Sequence, residues 1–373
     1  FGSSFGSRRE CGNIFEQSPY KPMEPAPKRQ RTDAKSVVGV VGATGAVGEE
    51  MVQVLFDRKF PLSKLVLLAS ERSAGKTLET AFGAKEVSAF SVEAAQACDF
   101  VLMAVSGGFS TEFSPKIVSN GKTVVIDNSS AFRYHEEIPL VVPEVNAAAM
   151  TGKLLIANPN CTTAIAAMAL WPLHQRFKLK KVVVSTYQAA SGAGAQGMTE
   201  LEEGTKSALK GETFKNEVFA HPLTFNVIPH IDSFQPNGYT KEEMKVVWET
   251  QKIFGSKDIA CSCTAVRIPI KRAHSEAITI ETAEDITAEA AREVLQAAPG
   301  VQVVDDPGQK RYPMPLTATR KHDVEVGRIR PSLIFAPKGL DFFVSGDQLL
   351  RGAALNAVLI AEAKLAEFVS TPP

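Results

Sequence analysis

The sequence predicts an α/β protein in two parts: a first half of βαβ units around a parallel sheet, and a mixed α+β second half with an antiparallel sheet. Three observations carry that expectation. From Ser36 onward, short apolar runs alternate with helical patterns, as strand–helix–strand crossovers require. Beyond Cys161 the texture shifts to β-branched segments with two-residue alternation. The 373 residues also fill about two domains, at roughly 100 to 200 residues per domain.

The elements follow in chain order. Val37 to Val41 reads as a buried strand, Gly45 to Asp57 as a helix, and Lys64 to Ala69, Phe100 to Val105 and Thr123 to Ile126 as further strands. Thr162 to Phe177 is Ala-rich and helical, whereas Lys181 to Gln188, Ala265 to Ile270 and Glu276 to Glu281 alternate as strands do. Gly346 to Phe368 is expected to close the chain as one long Ala/Leu-rich helix that returns to the first domain. The expected domains are therefore 37–160 with 346–373, and 161–345. Residues 1–36 differ from the rest: basic residues outnumber acidic ones, and Pro19, Pro22, Pro25 and Pro27 interrupt any apolar pattern, so a disordered arm is expected.

Composition excludes several functions. Lys and Arg number 41 against 41 Asp and Glu, leaving no net charge to draw nucleic acid or an anionic membrane. Aromatics at 8% give no surplus for base-stacking platforms. No apolar run approaches the ~20 residues that span a bilayer. Neither nucleic acid nor a membrane is an expected partner. Five widely spread cysteines, an odd number, argue against a disulfide framework and for a reducing compartment. Cys261-Ser262-Cys263 lacks a second Cys/His cluster, so no metal is expected. The arm's Ser/Arg content resembles a targeting segment, but Glu10, Glu16 and Glu24 count against it. The expected location is cytoplasmic, or the plastid stroma if the arm is the remnant of a transit peptide. Lys28 to Arg31 reads as a solvated linker rather than a nuclear signal.

Gly42-Ala43-Thr44-Gly45-Ala46-Val47-Gly48 follows the first strand and opens the first helix. Spaced glycines allow a tight turn, and N–H groups at a helix start favour a pyrophosphate, so Gly42 to Val47 are candidate dinucleotide-binding residues. At the end of the second strand the chain reads Ala69-Ser70-Glu71-Arg72-Ser73. Ser70, Ser73 and the Arg72 fork suit a 2′-phosphate, which favours NADP over NAD, although Glu71 could serve a ribose.

Asn158-Pro159-Asn160-Cys161-Thr162-Thr163 sets a cysteine at a helix start, where the dipole is expected to lower its pKa and backbone donors could receive an oxyanion. A thiolate acting on a carbonyl needs a proton carrier. Of six histidines, His274 stands out in a turn between two alternating strands, seven residues after Arg267.

These motifs, with Asn128-Ser129-Ser130-Ala131-Phe132-Arg133, Val142-Pro143-Glu144-Val145-Asn146, Ser185 to Gly194 and Arg267 to Ser275, stand in the order found in aspartate-β-semialdehyde dehydrogenases. The chain resembles that family from about residue 37 to 370. The resemblance implies a Rossmann-type dinucleotide-binding domain and a catalytic and dimerisation domain of the glyceraldehyde-phosphate-dehydrogenase-like type. It implies Cys161 as nucleophile, His274 as general acid/base and Gln188 as orienter of the acyl intermediate. Arg267 would hold the substrate carboxylate, Arg133 and Lys245 the phosphate, and Glu242 the ammonium, with Asn160 in the same substrate site. From the residues alone, Glu242 and Lys245 equally suit a solvated helical ion pair. Asn128, Ser191, Gly192 and Gly194 would lie near the nicotinamide, and Gln348, where many relatives carry Asn, would bond its carboxamide. The implied reaction is NADPH-dependent conversion of L-4-aspartyl phosphate to L-aspartate 4-semialdehyde and inorganic phosphate, for lysine, threonine, methionine and isoleucine synthesis, by a homodimer or homotetramer. The alternatives are an N-acetylglutamyl-phosphate reductase, disfavoured by Asn160-Cys161-Thr162, and a catalytically silent dinucleotide-binding relative.

Overall fold

The computed structural model describes residues 35–370, so the expectation for the arm lies, except at Lys35 and Ser36, outside the described residues. The first sheet contains β1 (Ser36–Val41), β2 (Leu62–Ala69), β3 (Thr77–Thr80), β4 (Gly83–Ala89), β5 (Phe100–Met103), β6 (Val124–Asp127) and β7 (Leu155–Ala157). Their order is β3-β4-β2-β1-β5-β6-β7, and all neighbours are parallel except the edge hairpin β3–β4. Parallel strands need covering on both faces, and their apolar runs provide for it. Val38, Val40, Leu102 and Ile126 face one core with Met51 and Leu55 of the Ala46–Asp57 helix and Val358 and Ile360 of the last helix. Val41, Val101, Met103 and Val125 face the other, which continues into the second sheet.

That second sheet adds β8 (Leu179–Tyr187), β9 (Ala260–Thr264), β10 (His274–Thr282), β11 (Val301–Val303), β12 (Val324–Pro331) and β13 (Gly339–Gly346), in the order β11-β12-β13-β10-β8-β9. Its centre is antiparallel, while β11 and β9 join the edges in parallel. Against the second sheet packs the Cys161–Phe177 helix, apolar nearly all round and buried from Thr162 to Leu170. Ile165, Ala169 and Leu173 share one core with strand residues of both sheets, so this helix fixes how the two halves meet.

Four expectations need correction. Ala265 to Ile270 is not a strand: β9 ends at Thr264, and Arg267 makes only isolated bridges to Gln188 and Ile228. Pro269, which has no N–H to give a ladder, sits in that stretch. His274 is the first residue of β10 rather than a turn residue. The chain end is not one helix from Gly346. Gly346 closes β13, Leu350–Ala354 forms a π-helical turn, and the α-helix runs Leu355–Ser370. Asp347 marks the break: its Oδ1 accepts from the N–H groups of Leu349 (3.0 Å) and Leu350 (3.3 Å), an Asx-type turn that separates β13 from the helical residues. The β3–β4 hairpin was not expected, since its half-exposed, charged strands give little apolar alternation. Among the described residues, no helix is long and apolar enough to cross a membrane.

Candidate active site

The glycine turn has the shape a pyrophosphate needs. Gly42 adopts φ +83°, and a Cβ there would stand 2.2 Å from the Ala104 carbonyl oxygen; one at Gly48 would stand 2.3 Å from that of Gly42. Only glycine lets β1, the turn and the helix approach this closely. Gly45 is the N-cap of the Ala46–Asp57 helix, so the first-turn N–H groups at Ala46 and Val47 have no acceptor within the helix. Thr44 lies partly exposed beside them, and Ala43 is buried under the turn. Ser70 begins a short 3-10 turn, Glu71–Ser73, at the carboxyl end of β2; Arg72 is exposed there and Ser73 buried. The turn and the Arg72 side chain together fit a dinucleotide, with the strand ends of the sheet as its cradle.

Cys161 opens the central helix. Asn160 caps it, its Oδ1 accepting from Thr162 N (3.0 Å) and Thr163 N (3.2 Å), because the preceding Asn158-Pro159 keeps the chain extended up to the cap. Gly352, from the π-helical turn, lies against Cys161: a Cβ at 352 would stand 2.5 Å from Cys161 Cβ. The segment that follows β13 thus forms one wall around the thiol.

The Lys241–Ile253 helix supplies a second wall. Thr240 and Glu243 form a capping box that fixes its start. Glu242, buried, accepts at Oε1 from Asn160 Nδ2 (2.9 Å) and Gln188 Nε2 (3.2 Å), and at Oε2 from Lys245 Nζ (2.9 Å). Lys245 also donates to Asp232 at 2.8 Å. The pair is therefore not a solvated surface pair; it joins Asn160, the cap before Cys161, to Gln188, whose Oε1 accepts from Thr186 Oγ1 at 3.0 Å. Two turns on, Glu249 is fully buried between Arg133 and the N–H of Asn160. Arg133 is buried, donating from Nε to Asn158 O (2.8 Å) and from Nη2 to Asn128 O (3.0 Å), and Asn158 Nδ2 donates to Asn128 Oδ1 (2.6 Å).

The third wall carries His274 and Arg267. His274 is buried at the start of β10, and its Nδ1 accepts from Ala189 N at 3.0 Å. An accepting Nδ1 leaves the proton on Nε2, which has no partner and is the donor this ring offers. Burial, with Arg267 nearby, pushes His274 down to about 3, so the ring is neutral at physiological pH. Arg267 Nη1 donates to Ala189 O at 2.5 Å. Gly192 closes over both: a Cβ there would stand 2.7 Å from Arg267 Nη1 and 3.3 Å from His274 Nε2. Gln348 holds Ala273, which has φ +71°, by accepting from its N–H (2.7 Å), and it donates to Ser191 Oγ. Both ends of the Gln348 amide thus meet protein groups, and Gln348 and Ser191 brace the His274 loop.

The thiol does not follow the expected lowering. Burial, then the Glu242 carboxylate, push Cys161 up to about 11, while Arg133, Arg267 and the Thr162 contact pull it down. Two guanidiniums and one carboxylate thus set the charge balance of the thiol. Glu242 stays below the usual carboxylate range because Lys245 and the Asn160, Lys245 and Gln188 contacts outweigh burial.

The structure brings Cys161, Asn160, Gln188, Arg133, Glu242, Lys245, Arg267 and His274 into one hydrogen-bonded and electrostatic neighbourhood. It places Ser70, Arg72 and Ser73 apart from them, at the carboxyl end of β2. Sequence reasoning missed Glu249, Asp232, Gly352 and Lys252. A signal for two of them existed: 242, 245, 249 and 252 recur at helical spacing on one face.

Comparison with known proteins places this geometry. The profile described as "Semialdehyde dehydrogenase, NAD binding domain" matches residues 37–153, and "Semialdehyde dehydrogenase, dimerisation domain" matches 170–351. The aspartate-semialdehyde dehydrogenase of Synechocystis sp. is 48% identical over 326 residues, 87% of this chain and 96% of its own. That of Aquifex aeolicus is 47% identical over 332 residues, with the same coverage. The structure of aspartate semialdehyde dehydrogenase II from Vibrio cholerae, complexed with ASA, superposes with a TM-score of 0.85 at 40% identity, covering 89% of this chain and 99% of that one. The chain belongs to the aspartate-semialdehyde dehydrogenase family.

Proposed function

We propose that the chain catalyses NADPH-dependent reduction of L-4-aspartyl phosphate to L-aspartate 4-semialdehyde and inorganic phosphate, reversibly, within aspartate-family amino-acid synthesis. One observation carries this reading: Glu242 directly, and Arg133 through Glu249, are hydrogen-bonded to Asn160 beside Cys161, while Arg267 and His274 both bond Ala189. A substrate with two anionic groups and one ammonium around its reacting carbon complements that charge set, and aspartyl phosphate is such a substrate. An N-acetylated substrate would bring no cation for the Glu242 carboxylate. A silent binding relative would have no use for this charge set around a thiol.

In this reading the thiolate form of Cys161, a small fraction at neutral pH, attacks the acyl carbon, the carbon–oxygen bond to phosphate breaks, and a thioester remains while Arg133 and Lys245 hold the departing anion, which takes up the proton the thiol gave up. Arg267 fixes the α-carboxylate through its fork, and Glu242 with Asn160 orients the ammonium. NADP, when bound in reduced form, supplies the hydride that turns the thioester carbonyl into a tetrahedral oxyanion. His274 Nε2–H and Gln188 stabilise that oxyanion by hydrogen bonding; its collapse re-forms the carbonyl and expels the Cys161 thiolate. With Nδ1 committed as an acceptor, His274 works as a donor, which refines the acid/base role.

Gly42 to Val47 would hold the pyrophosphate, Ser70, Arg72 and Ser73 the 2′-phosphate, and Asn128, Ser191, Gly192 and Gln348 would border the nicotinamide. The proposed assembly is a homodimer or homotetramer that pairs through the outer face of the second sheet, where Val183 and Tyr187 are exposed. The proposed setting is the cytoplasm or plastid stroma, a reducing milieu that keeps the Cys161 thiol available. Phosphate-dependent NADP reduction tests the function: turnover with L-aspartate-β-semialdehyde and none with N-acetylglutamate semialdehyde supports it, and the reverse preference overturns it.

A further inference from the structure

We propose that Glu249 is a positioning residue that aims the phosphate-binding arginine with one carboxylate oxygen and fixes the nucleophile loop with the other. The inference rests on the function proposed above and extends it to a residue with no assigned role there.

Glu249 Oε1 accepts from Arg133 Nη1 (3.2 Å) and Tyr134 OH (3.2 Å), and Oε2 accepts from the backbone N–H of Asn160 at 2.6 Å. Asn160 is the N-cap residue immediately before Cys161, so its own N–H finds no acceptor in the helix it begins. Arg133 is held at all three nitrogens, to Asn158 O, Glu249 and Asn128 O, which leaves one N–H on each Nη to point in a set direction. A guanidinium fixed in this way presents a ready fork to an anion, without the ordering cost of a free side chain. The same helix also holds the backbone beneath that arginine. One turn beyond Glu249, Lys252 Nζ donates to the carbonyl oxygens of Arg133 (2.9 Å), His135 (2.6 Å) and Ile138 (2.9 Å). A single helix face therefore sets Glu242, the partner of the substrate ammonium, the phosphate arginine and the nucleophile's cap relative to one another.

The chemistry of the site demands a carboxylate. Both principal partners are donors, and a carboxylate offers two acceptors, whereas an amide of the same shape offers one acceptor and one donor. Glu249→Gln therefore keeps volume but sets a donor against either Arg133 or the Asn160 N–H. Glu249→Asp keeps both acceptors at a shorter reach.

Two constants are to be measured for the full chain and each variant. One is the KM for inorganic phosphate in the semialdehyde-oxidising direction. The other is the phosphate concentration that half-protects Cys161 from iodoacetamide, which needs no turnover. Loss of one charged hydrogen bond corresponds to roughly tenfold, so both constants should rise about tenfold in Glu249→Gln while the KM for NADP stays within about twofold. Glu249→Asp should show a smaller rise in the same two constants, and it decides the matter if the Gln variant does not fold. A folded variant with parent-like phosphate constants, whatever its melting temperature, would reduce Glu249 to a structural buttress and overturn the proposal. A parent protein with neither phosphate-dependent turnover nor phosphate protection would remove the proposed function itself, and this inference with it.

Discussion

The sulfur of Cys161 is set between opposing influences, and their balance makes predictions at the scale of single residues. Burial and Glu242 raise its pKa further than Arg133, Arg267 and the Thr162 contact lower it. In the protein without ligands, alkylation of Cys161 should keep accelerating from pH 7 to 9.5, because the thiolate fraction still grows tenfold per unit far below a pKa of about 11. A plateau near pH 7 in the iodoacetamide rate would contradict this balance. His274 carries the opposite consequence. Its pKa is pushed down by burial and by Arg267, so it does not gain a proton until the pH falls toward about 3. The kcat profile should therefore show no acid limb near pH 6.5 due to this imidazole. A limb there that His274→Asn abolished would show a ring that charges.

At the scale of elements, the central helix and the segment after β13 act together. The π-helical turn Leu350–Ala354 presses Gly352 against Cys161 so closely that even a methyl does not fit. Gly352→Ala should cost about 1–3 kcal/mol of stability or displace the nucleophile, with kcat falling by at least roughly tenfold. A variant with parent melting temperature and parent kcat would mean that the wall yields freely. In the proposed reading, the glycine turn and the 3-10 turn after β2 divide the cofactor between them. Arg72 is exposed with its charge free to meet a 2′-phosphate, so Arg72→Ala should raise the KM for NADP by roughly tenfold and leave that for NAD nearly unchanged. Equal effects on both cofactors would remove Arg72 from the discrimination.

At the scale of the whole molecule, what was legible in the sequence was what is local along the chain. Gly42 to Gly48 and Asn158 to Thr163 announce themselves because turn, cap and helix start lie within a few residues of one another. Glu249 did not, because its partners Arg133 and Asn160 lie 116 and 89 positions away and meet only when two sheets pack on one helix. Ala265 to Ile270 misled for the same reason. Its alternating pattern serves a crossing loop whose Ile228 and Gln188 neighbours come from elsewhere in the chain. The closing helix misled through Asp347, whose side chain interrupts an otherwise continuous apolar pattern. Cys161, Gln188, Arg267 and His274 come from three separate stretches, and their convergence depends on the central helix packing into the core that joins both sheets.

The claim on which the rest depends is a covalent acyl group on Cys161. Rapid quenching of the protein with L-aspartate-β-semialdehyde and NADP, with phosphate withheld, followed by peptide mass spectrometry, addresses it directly. The expected result is an aspartyl thioester on the peptide carrying Cys161, discharged when phosphate is added, with no adduct and almost no turnover in Cys161→Ser. Turnover near the parent rate in Cys161→Ser, or an adduct on another residue, would contradict it.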